Sequence, residues 1–363
     1  MINHKKARLI NIISLVFCLL IAACTNRKAP HFSIYWEGSK PTGIVIPYDA
    51  LENSSIDSLQ IVLNNNSNSV KILGEFTRIE DTVLFKPLIP LTRGLKYKIQ
   101  LGNQVLGELE VPQAEEKDLP VVLALYPSAD TVPVNLLKIY IRFSKQMQEG
   151  VSPEQIVLIR NNRDTVVAPF LNLQPELWNH ERTILTLWLD PGRVKRDLQP
   201  NLNSGAPLLE GESYELVIIK GWQDAFGAKT ATDYRKKFRV GRRDSVSPNI
   251  NLWKLELPKS ATKEPLIIKL NEPLDFVLLG ETIFVHDEKG TAIPGEIETF
   301  NKENALRFLP SSPWKPGTYS IVCEFRLEDL AGNNLARLFD RDLNKDKASS
   351  ERFFKLEFKI PRE

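Results

Sequence analysis

Short runs in which apolar and polar residues alternate dominate the chain after residue 23. In the clearest run, apolar and polar positions alternate through Leu137, Lys138, Ile139, Tyr140, Ile141, Arg142 and Phe143. A period of two predicts a β-strand with one buried face and one face in solvent. Similar runs recur at 59–63, 156–159, 214–218, 283–285 and 319–325. Many short strands in a chain with 24 prolines predict an all-β fold built from β-sandwiches.

One combination of residues recurs late in each third of the chain. An apolar strand is followed by a break containing proline, then by a glycine, and then by a tyrosine that opens the next strand. The glycine and tyrosine pairs are Gly94 and Tyr97, Gly211 and Tyr214, and Gly317 and Tyr319. In the first and last thirds, a return strand begins with Gly74 or Gly295, which precede the tyrosine by 23 and 24 residues. This spacing predicts three copies of one β unit.

Two of the copies end their tyrosine strand with an Asp-x-x-Gly turn. The aspartates are Asp224 and Asp329, and the glycines are Gly227 and Gly332. The aspartate is expected to accept hydrogen bonds from the turn amides, and the glycine to adopt the positive φ that the reversal needs.

These motifs carry a resemblance to a known family. Together with a Pro-Ser-Ala-Asp-Thr-Val-Pro segment at 127–133, before a strand ending Phe-Ser-x-x-Met, they resemble the S-layer-type bacterial Ig-like domain. The resemblance covers roughly 118–243 and 247–360, and it is weaker over 31–112, where the Asp-x-x-Gly turn is missing. It implies extracytoplasmic β-sandwich modules that are used in tandem in surface proteins, usually without catalysis.

The start of the chain has the pattern of a secretory signal. Lys5, Lys6 and Arg8 precede an apolar stretch of about 15 residues, which is shorter than the roughly 20 that a permanent membrane helix needs. The stretch ends in Ile-Ala-Ala directly before Cys24, and this quartet resembles the lipobox of bacterial lipoproteins. The resemblance implies that Cys24 is acylated and becomes the mature amino terminus. The alternatives are an ordinary cleaved signal with a chance cysteine and a permanent membrane helix.

The predicted organisation follows from these features. It consists of a lipoprotein signal peptide at 1–23, a tether at 24–30, a divergent Ig-like domain at 31–112, a second at 118–243 with a long loop at 190–211, and a third at 247–363. Residue 25 is threonine, so retention at the inner membrane is not indicated. We expect a location in the cell envelope, with the lipid anchor in the outer membrane.

Charge and cysteine content narrow the possible partners. The formal net charge is +2, and the predicted signal removes three cations and no acids, so the mature chain carries −1. Without a basic block, nucleic acid is not an expected partner. Cys18 leaves with the signal and Cys24 is acylated, so Cys323 cannot form a disulfide within the mature domains. Its apolar strand predicts a buried thiol.

Signatures of catalysis are sparse. The three histidines of the mature chain, His31, His180 and His286, have no second histidine or cysteine at metal-ligand spacing. The sequence contains neither a phosphate-binding glycine loop nor a Gly-x-Ser-x-Gly elbow. We therefore predict no catalytic residues, no cofactor and no enzymatic activity. An active site assembled from distant residues is the alternative.

One segment has the oxygen spacing of a calcium loop. Its candidate ligands at loop positions 1, 3, 5, 7 and 12 are Asp340, Asp342, Asn344, Asp346 and Glu351. Lys345 occupies the position that favours glycine, Lys347 the usual apolar position, and no amphipathic helices flank the segment. A solvated charged hairpin is therefore favoured over a metal site.

The long loop at 190–211 is the main difference between the copies. The path from the strand before the break to the tyrosine takes 25 residues in the second copy, against 12 and 11 in the others. Arg193, Lys195 and Arg196 are candidates for binding an anionic partner such as phospholipid headgroups or acidic glycan. A loop that packs across the next domain and holds the array straight is at least equally expected.

The six tryptophans suggest a second kind of partner. Exposed indoles on a β-sandwich stack on sugar rings, and Trp222, beside Gly221, is the best exposed candidate, with Trp178 and Trp188 next. A place in the core or at a domain junction is nevertheless favoured for most of the tryptophans. The sequence as a whole predicts an envelope lipoprotein with a structural, adhesive or scaffolding role and an envelope protein or glycan as partner. A carbohydrate-binding surface lipoprotein is the runner-up, and an enzyme comes third.

Overall fold

The computed structural model describes residues 31–52, 54–65, 68–196, 198–340 and 351–362. They form two compact units, one up to residue 113 and one from residue 114. Six β-sheets build three Ig-like β-sandwiches, which confirms the predicted all-β fold class. Within the described ranges, no helix is long and apolar enough to cross a membrane. The predicted signal peptide, the tether and Cys24 lie outside the described residues.

The first unit is one sandwich of eight strands. Its strands are β1 (Ser33–Glu37), β2 (Lys40–Pro47), β3 (Leu59–Asn65), β4 (Asn68–Ile72), β5 (Gly74–Ile79), β6 (Thr82–Pro87), β7 (Lys96–Leu101) and β8 (Gln104–Glu110). One sheet has the order β1-β2-β6-β5 and the other β4-β3-β7-β8. Short 3₁₀ helices span Tyr48–Leu51 and Ile56–Ser58. Ile44, Ile61 and Phe85 are among the fully buried residues between the sheets.

The second sandwich begins the second unit. Its strands are β9 (Val122–Tyr126), β10 (Thr131–Pro133), β11 (Lys138–Phe143), β12 (Ile156–Arg160), β13 (Asp164–Thr165), β14 (Leu177–Trp178), β15 (Ile184–Trp188), β16 (Ser213–Ile218) and β17 (Tyr234–Gly241). The sheets have the orders β14-β15-β11-β9 and β10-β17-β16-β12-β13. Helical turns span Glu116–Asp118, Ser152–Gln155, Pro191–Val194 and Gln199–Ser204, the last two within the long loop.

The third sandwich completes the second unit. Its strands are β18 (Lys254–Glu256), β19 (Leu266–Lys269), β20 (Ile283–Asp287), β21 (Gly295–Phe300), β22 (Ala305–Pro310), β23 (Gly317–Glu324) and β24 (Phe353–Ile360). The sheets have the orders β18-β19-β22-β21 and β20-β23-β24. Helical turns span Ile250–Leu252 and Phe276–Glu281. Cys323 is fully buried on β23, as its sequence context predicts, and burial raises the pKa of its thiol to about 12.

The recurring tyrosine makes the same hydrogen bond in all three sandwiches. The hydroxyl of Tyr97 accepts the amide of Thr92 at 2.9 Å, that of Tyr214 accepts the amide of Leu209 at 2.9 Å, and that of Tyr319 accepts the amide of Lys315 at 3.2 Å. Each bond returns to the chain a few residues upstream, which is the tyrosine corner of Ig-like sandwiches. In the first two copies the glycine between the donor and the tyrosine has a positive φ, +77° at Gly94 and +83° at Gly211.

The recurring Gly-Glu return strand also has a packing cause. A Cβ on Gly295 would lie 2.5 Å from both the Phe308 ring and the Leu309 carbonyl, and one on Gly74 would lie 2.4 Å from the Lys86 carbonyl and 2.6 Å from the Phe85 ring. In both copies a phenylalanine of the neighbouring strand therefore covers the glycine. Any side chain at these positions would displace the ring from the core.

The Asp-x-x-Gly turns have the predicted geometry. Oδ1 of Asp224 accepts the amides of Phe226 and Ala228 at 2.8 and 2.9 Å, and Gly227 has a φ of +87°. Oδ1 of Asp329 accepts the amides two and four residues on at 2.7 and 2.9 Å, and Gly332 has a φ of +79°. In the first sandwich, the tyrosine strand β7 instead turns directly into β8, which pairs with it along its length.

Candidate functional site at the junction of the second and third sandwiches

A buried polar network joins the second sandwich to the third. The hydroxyl of Tyr140 donates to the carboxylate of Asp275, with its oxygen 2.8 and 2.7 Å from Oδ1 and Oδ2. Lys138 Nζ lies 3.1 Å from Asp275 Oδ2 and 2.7 Å from Glu328 Oε2. We call these four residues the junction network. The side chains that pair across the junction are 135 or more residues apart in sequence.

The two sides of the junction network come from different local structures. Lys138 and Tyr140 occupy alternate positions of β11, so their side chains leave the same face of the sheet. Asp275 is the N-cap of the Phe276–Glu281 helix and accepts the amides of Val277 and Leu278 at 3.1 Å each. An N-cap aspartate is fixed in direction by these bonds, so its free lone pairs point at the second sandwich.

Burial and charge set the protonation of this network. Burial alone favours a neutral lysine, but the attraction of Asp275 and Glu328 outweighs it and raises the pKa of Lys138. Burial, together with the charge of Asp275, raises the pKa of Tyr140, so the phenol keeps its proton as a donor. Burial also raises the pKa of Glu328, and the cation of Lys138 opposes this shift. Lys138 is thus a charged donor and Tyr140 a protonated donor toward the acidic side chains of the third sandwich.

The outer face of β11 departs from the sequence prediction. The alternation in β11 predicts that Lys138, Tyr140 and Arg142 face solvent, and Arg142 does so. Tyr140 is only 5% exposed, because the third sandwich covers this end of the strand. The Phe276 ring stacks on Tyr126 with centroids 3.5 Å apart and planes 4° apart. β11 is therefore buried on both faces at the junction.

Further contacts continue this junction. The amide of Leu137 donates to the carbonyl of Leu330 at 2.9 Å. The amide and hydroxyl of Ser128 donate to the two carboxylate oxygens of Glu303 at 2.6 and 2.7 Å, although Glu303 itself is only 3% exposed. Buried polar groups that are all paired in this way fix one relative arrangement of two surfaces. The geometry therefore suits a rigid connection between modules.

Three carboxylates cluster beside the junction. Oxygens of Asp244, Glu272 and Asp329 lie within 4.8 Å of one another. Burial raises the pKa of Asp329 to about 7, with the charge of Asp244 adding to the effect and hydrogen bonds from Asn333 opposing it. Burial and then Asp244 likewise raise the pKa of Glu272. The oxygens of Asp329 already accept the amides of Ala331 and Asn333 and the side-chain amide of Asn333, so they serve the turn.

The basic residues of the long loop all have partners within the protein. Arg193 donates to the carbonyls of Val167, Ala168 and Gly205 at 3.2, 2.8 and 2.9 Å, and so holds the loop to its own sandwich. Arg196 pairs with Asp340 at 3.2 Å, and Lys195 Nζ lies 4.3 Å from the ring centroid of Phe339. The last two contacts reach residues that follow the Asp329 turn. The alternative that the loop packs across the next domain therefore agrees with the structure.

Trp222, the candidate for an exposed indole, is buried, so exposure is wrong for this residue and the favoured place in the core is confirmed. Its side chain is 1% exposed, and its ring packs edge-on to Phe143 at 5.2 Å and to Trp178 at 6.0 Å. Its indole nitrogen donates to the carbonyl of Gln148 at 3.1 Å. The neighbouring glycine thus marks a tight turn that admits the indole to the core. Trp178 and Trp188 are half-buried.

Only the ends of the calcium candidate are described. Asp342, Asn344 and Asp346 lie outside the described residues, whereas Asp340 and Glu351 lie within them. The Asp340 carboxylate is 3.2 Å from both Arg196 and Arg243. Two guanidinium groups on one carboxylate disfavour a dication there. The segment's other ligands remain a prediction from the sequence.

No family model and no curated protein matches this chain. Among solved structures, it is similar to native α2-macroglobulin from Escherichia coli spanning domains MG0-NIE-MG1, with 11% identity over 57% of this chain and 66% of that one and a TM-score of 0.23. It is also similar to the N-terminal part of the bacterial S-layer protein SbsC, with 10% identity over 67% of this chain and 44% of that one and a TM-score of 0.24. A third similar structure is the FN1–FN3 region of chicken CNTN1, with 10% identity over 92% of this chain and 99% of that one and a TM-score of 0.19. The chain spans less than two thirds of the length of the first two. The six sheets themselves establish a tandem Ig-like protein.

Proposed function

We propose that this protein is a lipid-anchored lipoprotein of the bacterial cell envelope with a structural, adhesive or scaffolding role. The observation that carries the proposal is the junction network, which joins two Ig-like modules through paired, buried polar groups. Modules held at a fixed angle present their surfaces at a defined position, as a spacer or scaffold requires. The lipobox-like quartet before Cys24 supports attachment to a membrane.

The rigid connection is tested by measuring distances between the second and third sandwiches. Spin labels placed on exposed positions of the two modules are expected to give a narrow distance distribution. In the double variant Lys138→Met with Tyr140→Phe, Asp275 and Glu328 lose their bonds from β11, so the distribution is expected to widen. Arg142→Met is the matched control, because Arg142 lies on the same face of β11 in solvent. A broad distribution in the unmodified protein contradicts the scaffold proposal.

The anchor is tested separately with the two cysteines of the amino-terminal segment. Cys24→Ser is expected to abolish labelling by a palmitate analogue and to move the protein from the membrane fraction to the soluble fraction. Its circular dichroism spectrum and melting temperature are expected to match those of the unmodified protein. Cys18→Ser removes a cysteine six residues earlier and is expected to change neither labelling nor fractionation. Acylation that persists in Cys24→Ser contradicts the anchor.

A further inference from the structure

A cleft of about 550 Å³ opens on the second sandwich between two of its loops. One wall is formed by Arg160 of β12 and by 164–168, which are β13 and the residues after it, and the other by 204–207 and Leu209 of the long loop. A volume of this size is typical of a site for a small ligand. The cleft is a product of the insertion, because the extra residues of the second copy supply its second wall.

Arg193 ties the two walls together. Its guanidinium donates to Val167 and Ala168 on one wall and to Ser204 and Gly205 on the other. All four acceptors are neutral carbonyls, so no carboxylate of the described residues pairs with the positive charge of Arg193. The two walls are therefore joined by Arg193, and the lining carries two cations, Arg160 and Arg193, and one anion, Asp164.

Two further donors face the same space. Arg160 lines the cleft and donates one of its five N–H groups to Asp164, 3.1 Å away; among the described residues the others have no hydrogen-bond acceptor. Tyr214 also lines it, and its hydroxyl oxygen accepts the amide of Leu209. Burial raises the pKa of Tyr214, so the O–H keeps its proton, and no described group accepts that proton. In the third copy, by contrast, Tyr319 donates to the carbonyl of Lys315 at 2.9 Å.

The remaining lining combines hydroxyl groups with small aliphatic surfaces. The lining includes Thr165 and Ser204, whose side chains carry hydroxyl groups, and the apolar residues Val166, Pro207 and Leu209. Hydroxyls and main-chain carbonyls bind the hydroxyl groups of a ligand, aliphatic surfaces contact its C–H groups, and guanidinium groups bind carboxylates. A ligand that carries hydroxyl groups, C–H groups and a carboxylate would match all three kinds of lining group.

We infer that this cleft binds a carboxylate-bearing saccharide, such as a uronic acid unit of an acidic glycan. Arg160 pairs with the carboxylate, the Tyr214 hydroxyl donates to a ring or hydroxyl oxygen, and the aliphatic wall covers the sugar's C–H face. Binding in the cleft goes beyond the spacing role, since it does not use the junction network. On this inference a glycan partner binds in the cleft and not at Trp222.

The test is a calorimetric titration of the full mature protein with trigalacturonate, with neutral galactose trisaccharide and inorganic phosphate in parallel. Trigalacturonate alone is expected to bind, and the protein amide resonances that it shifts are expected to be those of Arg160, 164–168 and 204–209. Arg160→Gln is expected to weaken binding about tenfold or more, because it removes a charge-assisted hydrogen bond to the carboxylate.

Arg163→Gln is the matched control, because it removes the same charge from the same exposed hairpin outside the cleft lining. It is expected to leave the affinity within about twofold. The inference is overturned if trigalacturonate does not bind, if the neutral sugar binds equally well, or if phosphate binds in its place. An equal loss in both variants also overturns it. A narrow interdomain distance distribution remains possible in each of these cases, so the scaffold proposal is tested independently.

Discussion

Tyr140 donates its hydroxyl to the carboxylate of Asp275 across the junction of two sandwiches, at 2.8 and 2.7 Å from the two oxygens. Tyr140→Phe leaves the ring in place and removes one donor from a buried carboxylate. The unfolding free energy of the second unit is expected to fall by about 1–3 kcal/mol, since the loss of one partner leaves the other less satisfied. Denaturant unfolding followed by tryptophan fluorescence measures the change.

The control for this prediction is another tyrosine of the same sandwich. Tyr234 packs against the core of the second sandwich, and Tyr234→Phe removes a hydroxyl from a residue outside the junction network. Its effect is expected to stay within about 0.5 kcal/mol. Equal effects of the two variants would show that the hydroxyl of Tyr140 contributes nothing specific to the junction.

Gly295→Ala is expected to destabilise the third sandwich by about 1–3 kcal/mol, because the new methyl group overlaps the Phe308 ring and the Leu309 carbonyl. Gly317→Ala offers a matched comparison, since a Cβ there has no atom within 4 Å. It is expected to change stability by less than about 0.5 kcal/mol. Thermal unfolding of both variants measures the difference. If alanine at 295 is tolerated as well as alanine at 317, the covering ring does not explain the repeated glycine.

The repeated glycines, Gly74 and Gly295, illustrate which features of the fold can be predicted from the sequence. The repeated Gly, the tyrosine after the break and the Asp-x-x-Gly turn predict three sandwiches because each meets a local need, such as a close approach, a corner or a positive φ. Those needs lie within one module: the tyrosine corner recurs in all three sandwiches, the covered glycine in the first and third, and the Asp-x-x-Gly turn in the second and third. The sequence therefore identifies the fold, and the tyrosine corners and turns agree with it in detail.

The junction network has no such local signal. Lys138 and Tyr140 look like the polar face of an ordinary strand, and Asp275 looks like an ordinary N-cap. Only docking of the third sandwich, more than a hundred residues later, reveals that they meet. The burial of Trp222 could not be predicted from its neighbours for a related reason. A glycine beside an aromatic residue is typical both of an exposed turn and of a turn next to the core.

Arg193→Met is expected to accelerate amide hydrogen exchange across 190–211. The variant loses the hydrogen bonds by which Arg193 joins Gly205 of the loop to Ala168 on the opposite wall of the cleft. Exchange is expected to rise at least about tenfold there while β16 and β17 stay protected, since an opening about 1.4 kcal/mol easier is ten times more frequent. Arg196→Gln is the comparison, because its ion pair with Asp340 is largely exposed on the arginine side and contributes less than about 1 kcal/mol. Unchanged exchange in Arg193→Met contradicts the bridging role.

The stability of the second unit is expected to depend on the protonation of Asp329. Its pKa rises from 3.8 to about 7 on folding, so between these values the folded state binds the proton that the unfolded state has lost. The contribution of this group is complete below pH 3.8, and it is lost as the pH rises to 7, by at most about 1.4 kcal/mol per pH unit.

The carboxyl carbon resonance of Asp329 measures its titration directly, and its midpoint is expected near pH 7. Asp329→Asn is expected to reduce the fall of unfolding free energy between pH 4 and 7. A midpoint near 4, or an equal fall in the variant, contradicts the shift. Because the variant also alters the hydrogen bond to Asn333, the comparison uses the slope with pH and not the absolute stability.

The parallel pairing of β10 with β17 has a mechanical consequence. These strands lie near the beginning and the end of the second sandwich, and Thr131, Val132 and Pro133 pair with Arg239, Val240 and Gly241 in the same direction. Tension that pulls the two ends of this module apart loads parallel strands in shear, so their hydrogen bonds must break together and not one after another. A module tethered at one end and held by a partner at the other would resist extension at this pair.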